Sequence, residues 1–116
     1  MVCLSLVAFQ FHRDDLYTLF ITARIINFFK GLRLKGEKVS LQEALSEAEN
    51  AGHREKLGAQ ILRKLLDERR LYAATKVGLK PVPRFNAKLF FRVMEKSNLI
   101  KTKGGVDVVS VAFLKQ

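Results

Sequence analysis

The chemistry this chain can offer lies in its cations. His53, Arg54, Lys56, Gln60, Arg63 and Lys64 follow one another at helical spacing, Arg69 and Arg70 close that run, and Lys76, Lys101 and Lys103 sit close to glycines. Lysine and arginine neutralise phosphate oxygens, and arginine and glutamine also make paired hydrogen bonds to guanine and adenine edges. Nucleophilic and metal chemistry has less to draw on. Cys3 is the single cysteine, and His12 and His53 lie far apart without ligand spacing. Neither an internal disulfide nor a zinc site is therefore expected. No glycine-rich phosphate loop and no nucleophile elbow occurs. The acid pairs Asp14-Asp15 and Asp67-Glu68 fall where helix ends are expected, and there dipole and ion-pair roles suffice. The expectation is a binding protein with no enzymatic activity, no cofactor and no metal.

The charge is unevenly placed. The 116 residues carry 21 Lys/Arg against 11 Asp/Glu, a formal net charge of +10. Residues 1–52 hold 6 of each sign, whereas residues 53–116 hold 15 Lys/Arg against 5 Asp/Glu, so the whole excess lies in the second half. A basic half joined to a neutral half points to an anionic partner on one side, with nucleic acid ahead of an anionic membrane or an acidic protein. A hydrophobic content of 48% and a charged content of 28% fit a single domain over residues 1–116 with its own core. Residues 16–34 approach the length of a membrane span, but Arg24, Asn27, Lys30 and Arg33 interrupt them. The first residues lack the basic start and small-residue cleavage site of a secretory signal. An intracellular protein of the cytoplasm, nucleus or nucleoid is expected, with no membrane partner.

Several elements must position these cations. Residues 2–11, VCLSLVAFQF, are apolar on both alternating faces, which predicts a strand covered on both sides or set at a subunit interface. Asp14 or Asp15 suits the start of a helix over residues 16–34. Leu16, Leu19, Phe20, Ala23, Ile26 and Phe29 form its main stripe, widened by Ile21, Ile25, Phe28 and Leu32, so it is expected to be the central core helix. Residues 37–39 suit a short strand. Ser40 with Glu43 is a capping box, and Leu41, Ala44, Leu45 and Ala48 continue at helical spacing. Gly52 suits a left-handed residue between this helix and the next. The next helix places Leu57, Ile61 and Leu65 inward beside Leu62 and Leu66. Residues 71–79 read as extended, and Pro81 and Pro83 forbid regular structure through residues 80–84. Asn86 caps another helix with Leu89, Phe90, Val93 and Met94 inward. Residues 99–114 form a hairpin about Gly104-Gly105, since glycine tolerates the positive φ of a two-residue turn.

A short helix, a corner and a longer basic helix running into an extended segment is the order of a helix-turn-helix with a wing. Residues 39–72 resemble the core of winged-helix DNA-binding proteins, in the start Ser40-Leu41-Gln42-Glu43 and the exit Leu65-Leu66 to Leu71. That resemblance implies duplex DNA binding, with His53, Arg54 and Gln60 at base edges and Lys101 and Lys103 on a phosphate-touching wing. Lys56, Arg63, Lys64, Arg69, Arg70 and Lys76 would extend the basic surface. The chain is also similar to the Alba family of small basic proteins, through ITARIINFFKG, LGAQILRKLL and YAATKVGLKPV. This second resemblance implies a dimer that binds DNA or RNA. It lacks the glycine motif expected before the second helix, and residues 88–98 would be an added helix. A structural or adaptor subunit of a larger protein or ribonucleoprotein complex is the reading from a different class.

The expected fold is α+β, a single compact domain. It has three to four helices against a small mixed or antiparallel sheet that includes both terminal strands. It is winged-helix-like, or alternatively Alba-like. Terminal strands apolar on both faces need more cover than a few amphipathic helices supply, so a homodimer is expected. Sedimentation equilibrium at roughly tens of micromolar protein, the range of weak dimer constants, should show twice the chain mass. A monomer at that concentration would count against it.

Overall fold

A computed structural model describes residues 13–115. The first strand expected from the sequence, with Cys3 and His12, lies outside the described residues. Local signals account for most of the elements from residue 13 onward. Helix α1 (Arg13–Lys30) has Asp14 and Asp15 in its first turn and ends at Gly31, whose amide reaches the carbonyls of Asn27 and Phe28. Strand β1 (Lys38–Ser40) leads into helix α2 (Leu41–Ala51). Ser40 Oγ accepts from the Glu43 amide at 3.1 Å, as the capping box requires. Helix α3 (His53–Glu68) begins after a single residue. Gly52 is extended, at φ 164° and ψ 178°, and not left-handed as expected. Its carbonyl accepts the first helical bond, from Lys56, and the lack of a Cβ leaves room for the Glu55 carboxylate against the corner.

After α3 the structure departs from a single extended run. Strands β2 (Tyr72–Thr75) and β3 (Gly78–Pro81) form a hairpin of their own, with Tyr72 opposite Pro81. Thr75 Oγ1 donates to the Gly78 carbonyl and accepts from the Val77 amide, which closes the turn. Pro81 is tolerated inside a strand because this two-stranded sheet has edges where no donor is needed. Helix α4 (Ala87–Lys96) is capped by Asn86, whose Oδ1 accepts from the Leu89 amide. Strands β4 (Ile100–Lys103) and β5 (Val106–Ser110) make the hairpin predicted about Gly104 and Gly105, at φ 59° and 81°. The last strand, expected to run to Leu114, stops at Ser110, and the residues after it are helical. Ser110 caps helix α5 (Val111–Leu114), which ends the strand at residue 110. Strand β5 is central, in the antiparallel order β1-β5-β4. The described chain is thus an α+β fold with five helices and two small antiparallel sheets, one helix and one sheet beyond the expectation.

The inner face of the larger sheet is Val39, Val109 and Ile100 in one cross-strand row. It packs into a core with Phe29, Leu45, Leu65, Phe90, Met94 and Leu99. Two helices are rotated from their predicted stripes. On α1, Leu16 and Phe20 are 53% and 62% exposed, while Thr18 and Thr22 are buried. A buried hydroxyl is tolerable when it is hydrogen-bonded. Thr18 Oγ1 donates to the Asp14 carbonyl and Thr22 Oγ1 to the Thr18 carbonyl, each at 2.7 Å. Thr18 Oγ1 also accepts from the Asn86 amide at 2.8 Å, tying α1 to the start of α4. On α3 the buried residues are Ala59, Leu62 and Leu65, and Leu57 faces solvent. Small residues explain that turn: Ala59 meets an α2 face that carries Ala44 and Ala48, all fully buried.

Gly58 fixes the other side of α3. A Cβ there would lie 2.5 Å from Cε2 of Phe28 on α1, too close for both to remain in place. Alanine is favoured over glycine in a helix interior by about 1 kcal/mol. Gly58→Ala should therefore lower the melting temperature of the native chain yet raise it in a Phe28→Ala background. A double-mutant cycle in denaturant, with additive changes as the refuting result, measures this coupling.

Candidate nucleic-acid interface

The predicted site residues divide into groups that the fold does not bring together. His53, Arg54, Lys56 and Gln60 are all exposed on the first two turns of α3. Arg63 is taken up by structure. Its Nε meets Glu49 Oε1 at 2.7 Å and its Nη1 meets Gln42 Oε1 at 2.6 Å, so it fastens α3 to α2. Lys64 pairs with Glu68 at 3.3 Å and lies 4.8 Å from the Tyr72 ring centre. Arg69 takes a left-handed conformation, φ 58°, to end α3, and its guanidinium stacks 3.9 Å from the Phe91 ring centre. Arg70 stays exposed beside it, and both line a hollow with Pro81, Pro83 and Phe85. Lys76 sits at the tip of the β2–β3 hairpin.

The two remaining residues, Lys101 and Lys103, occupy a different surface. Cross-strand partners in an antiparallel sheet point to the same face. Lys101 is opposite Val108, which is opposite Ser40, and Lys38 is opposite Ser110. The outer face of the three-stranded sheet therefore carries Lys38, Lys101 and Lys103 together. They line a shallow hollow of about 180 Å³ with Asn98, Thr102 and Ser110, over an apolar floor at Val108. No carboxylate lines it, and none of the three lysines has an ion pair among the described residues. Lys38 and Asn98 were not among the predicted site residues. Lys38 belongs by sequence to the neutral half, and only the β1–β5 pairing carries it to Lys101. Left-handed Asn98, φ 57°, turns the chain from α4 into β4 and so reaches the same hollow.

The predicted recognition helix and predicted wing meet at an end of α3 away from its first turns. The turn at Gly105 and Val106 shares a hollow with Leu41, Gln42, Leu66 and Asp67. Leu66 lies twelve residues beyond Arg54, about 18 Å along a helix at 1.5 Å per residue. The hairpin that directly succeeds α3 is β2–β3, which carries Lys76, and α4 separates it from β4–β5. Among the described residues no three His, Cys, Asp or Glu side chains are grouped to hold a metal ion. No described helix is long and apolar enough to cross a membrane. Comparison with protein-family models, with curated proteins and with solved structures finds no match to this chain.

The geometry around α3 also sets the titration of one carboxylate. Glu68 is held below the ordinary carboxylate range, first by the hydrogen bond from Tyr72 Oη at 2.9 Å and next by that from Lys64. Its folded-state pKa is depressed. Its contribution to stability is therefore present above the unfolded-state pKa and fades as the pH falls through the folded value. Tyr72→Phe should move the Glu68 titration upward, toward the ordinary range, in a carboxyl-carbon NMR titration. An unmoved midpoint would assign the depression to Lys64 and Arg70 alone.

Proposed function

We propose that this chain is a non-enzymatic nucleic-acid-binding protein that holds the phosphate backbone, of duplex DNA first, on the outer face of its three-stranded sheet. The observation that carries the reading is the hollow at Lys38, Lys101 and Lys103, where three cations without acidic partners surround hydrogen-bonding side chains. Concentrating positive charge without compensation opposes folding, and an anionic ligand relieves it. Phosphate contacts of this kind position the nucleic acid without reading its sequence. Arg54 and Gln60, on the exposed first turns of α3, remain uncommitted but lie away from that hollow. The winged-helix reading is supported by β1 joining the sheet beside the C-terminal hairpin.

A second reading has its own observation. Leu16 and Phe20 are exposed on the outer face of α1, with Ala23 between them and the helix end. An apolar face of that kind supports a protein interface, whether a second copy of this chain or a partner in a larger complex.

Mobility-shift titrations with duplex DNA, single-stranded DNA and RNA at matched salt test the first reading. Affinity should fall with salt at a log–log slope of about −0.9 per phosphate contact on duplex DNA, giving roughly −4 to −5 for four to six contacts. Replacing Lys38, Lys101 and Lys103 with Gln should flatten that slope by up to about 2.7 and leave sequence preference unchanged. Absence of binding to all three nucleic acids at about 50 mM salt, where such contacts are strong, would leave the protein-complex reading.

A further inference from the structure

Helix α4 carries a stripe of cations that contributes nothing visible to its own stability. Lys88, Arg92 and Lys96 recur at intervals of four residues, so they lie on one face, and all three are exposed. The opposite side is the buried one, with Phe90 and Met94 in the core. None of the three has an ion pair among the described residues. The one carboxylate nearby on that face, Glu95, is likewise unpaired there.

Elementary helix electrostatics disfavours this arrangement. Like charges four residues apart destabilise a helix, and α4 has two such spacings in succession. A cation near a helix N-terminus faces the positive end of the dipole. Helices α1, α2 and α3 each place an acid in the first turn, whereas α4 places Lys88 there. Only Lys96, in the last turn, is where the dipole favours it. The stripe also has neighbours of the same sign at both ends. Lys88 lines a hollow with Arg69 and Arg84, which also contains Asp14 and Asp15, and Arg84 is the member paired with Asp14. Two residues beyond Lys96, Asn98 enters the hollow of Lys38, Lys101 and Lys103.

We infer that α4 is a phosphate-tracking helix: Lys88, Arg92 and Lys96 extend the lysine hollow of the sheet into one basic band along which a nucleic-acid backbone runs. This rests on the nucleic-acid reading above and adds the element that reading lacked. No residue of α3 lines the lysine hollow, whereas the chain leaving α4 enters it at Asn98. The last two cations of α3 are committed elsewhere, Arg63 to Glu49 and Lys64 to Glu68.

The test compares the unaltered chain with three variants, by salt-dependent binding to one duplex DNA and by thermal unfolding. In Lys88→Gln/Arg92→Gln/Lys96→Gln the salt slope should flatten by about 1 per lost contact, up to about 3. The melting temperature should not fall, because two like-charge spacings are relieved. In the charge-preserving Lys88→Arg/Arg92→Lys/Lys96→Arg the slope should stay as in the unaltered chain. In Arg54→Gln/Lys56→Gln, on α3, it should change less than in the α4 variant. The inference is overturned if the glutamine variant of α4 keeps its slope while replacement of Lys38, Lys101 and Lys103 flattens it, and the nucleic-acid reading then stands without it. It is overturned too if the charge-preserving variant loses the slope, since packing and not charge would be responsible. An unaltered chain that binds no nucleic acid removes both readings together.

Discussion

The pairing of β1 with β5 is the constraint on which the rest of this structure depends. It joins Lys38–Ser40 to residues 108–110, some seventy positions later, and buries Val109 between Val39 and Ile100. The same junction anchors the end of the described chain, because the Glu37 carbonyl accepts from the amides of Val111 and Ala112. Everything between the two strands, three helices and the β2–β3 hairpin among it, is held in a closed loop. Closing a long loop costs little more entropy than closing one of half its length, about 0.6 kcal/mol per doubling. Contacts so distant in sequence are nevertheless slow to form. The cationic surface is a consequence of this closure, since Lys38 has no other route to Lys101.

The cations of the second half fall into two kinds. Arg63, Lys64, Arg69 and Arg84 act within the molecule. They bridge α2 to α3, steady the exit of α3, stack on Phe91 and clasp Asp14 beside Tyr17. Exposed ion pairs of this sort are worth at most about 1 kcal/mol each, so they orient side chains more than they stabilise the fold. Arg54, Lys56, Lys88, Arg92, Lys96, Lys101 and Lys103 have no such employment among the described residues. The excess of positive charge is therefore concentrated in side chains that remain available to an anion. The structure distinguishes them through partners, a property that charge counting does not contain.

Helix α1 shows a different balance. Its buried seam includes two threonines, and its outer face retains leucine and phenylalanine. The threonine hydroxyls are satisfied by carbonyls one turn before them, so burying them costs little. The Thr18 hydroxyl additionally receives the Asn86 amide, and the Asn86 side chain donates to Asp15 Oδ1, giving the junction of α1 with the start of α4 polar contacts of defined geometry. Core specificity at this point comes from a hydrogen bond with one correct register, whereas Leu16 and Phe20 on the other side of the helix stay exposed.

The sequence by itself determined those features whose physics closes within a few residues. Ser40 with Glu43 and Asn86 before Leu89 specify helix starts, because a side-chain oxygen satisfies an amide three positions away. Gly104-Gly105 specifies the hairpin register, because both residues need positive φ. The asymmetry of charge was equally legible. Tertiary structure decided which way α1 and α3 face. On α1 apolar residues lie on every side, so no single direction is marked as inward. On α3 Gly58 and Ala59 select the faces that let Phe28 and α2 come close. The hairpin at residues 72–81 was hidden because Lys76-Val77 lacks the usual turn residues, and closure falls to Thr75 and Gly78. The lysine hollow was hidden for the deepest reason. Which residues stand opposite one another across a sheet depends on strand pairing over the whole chain, and no local period records it.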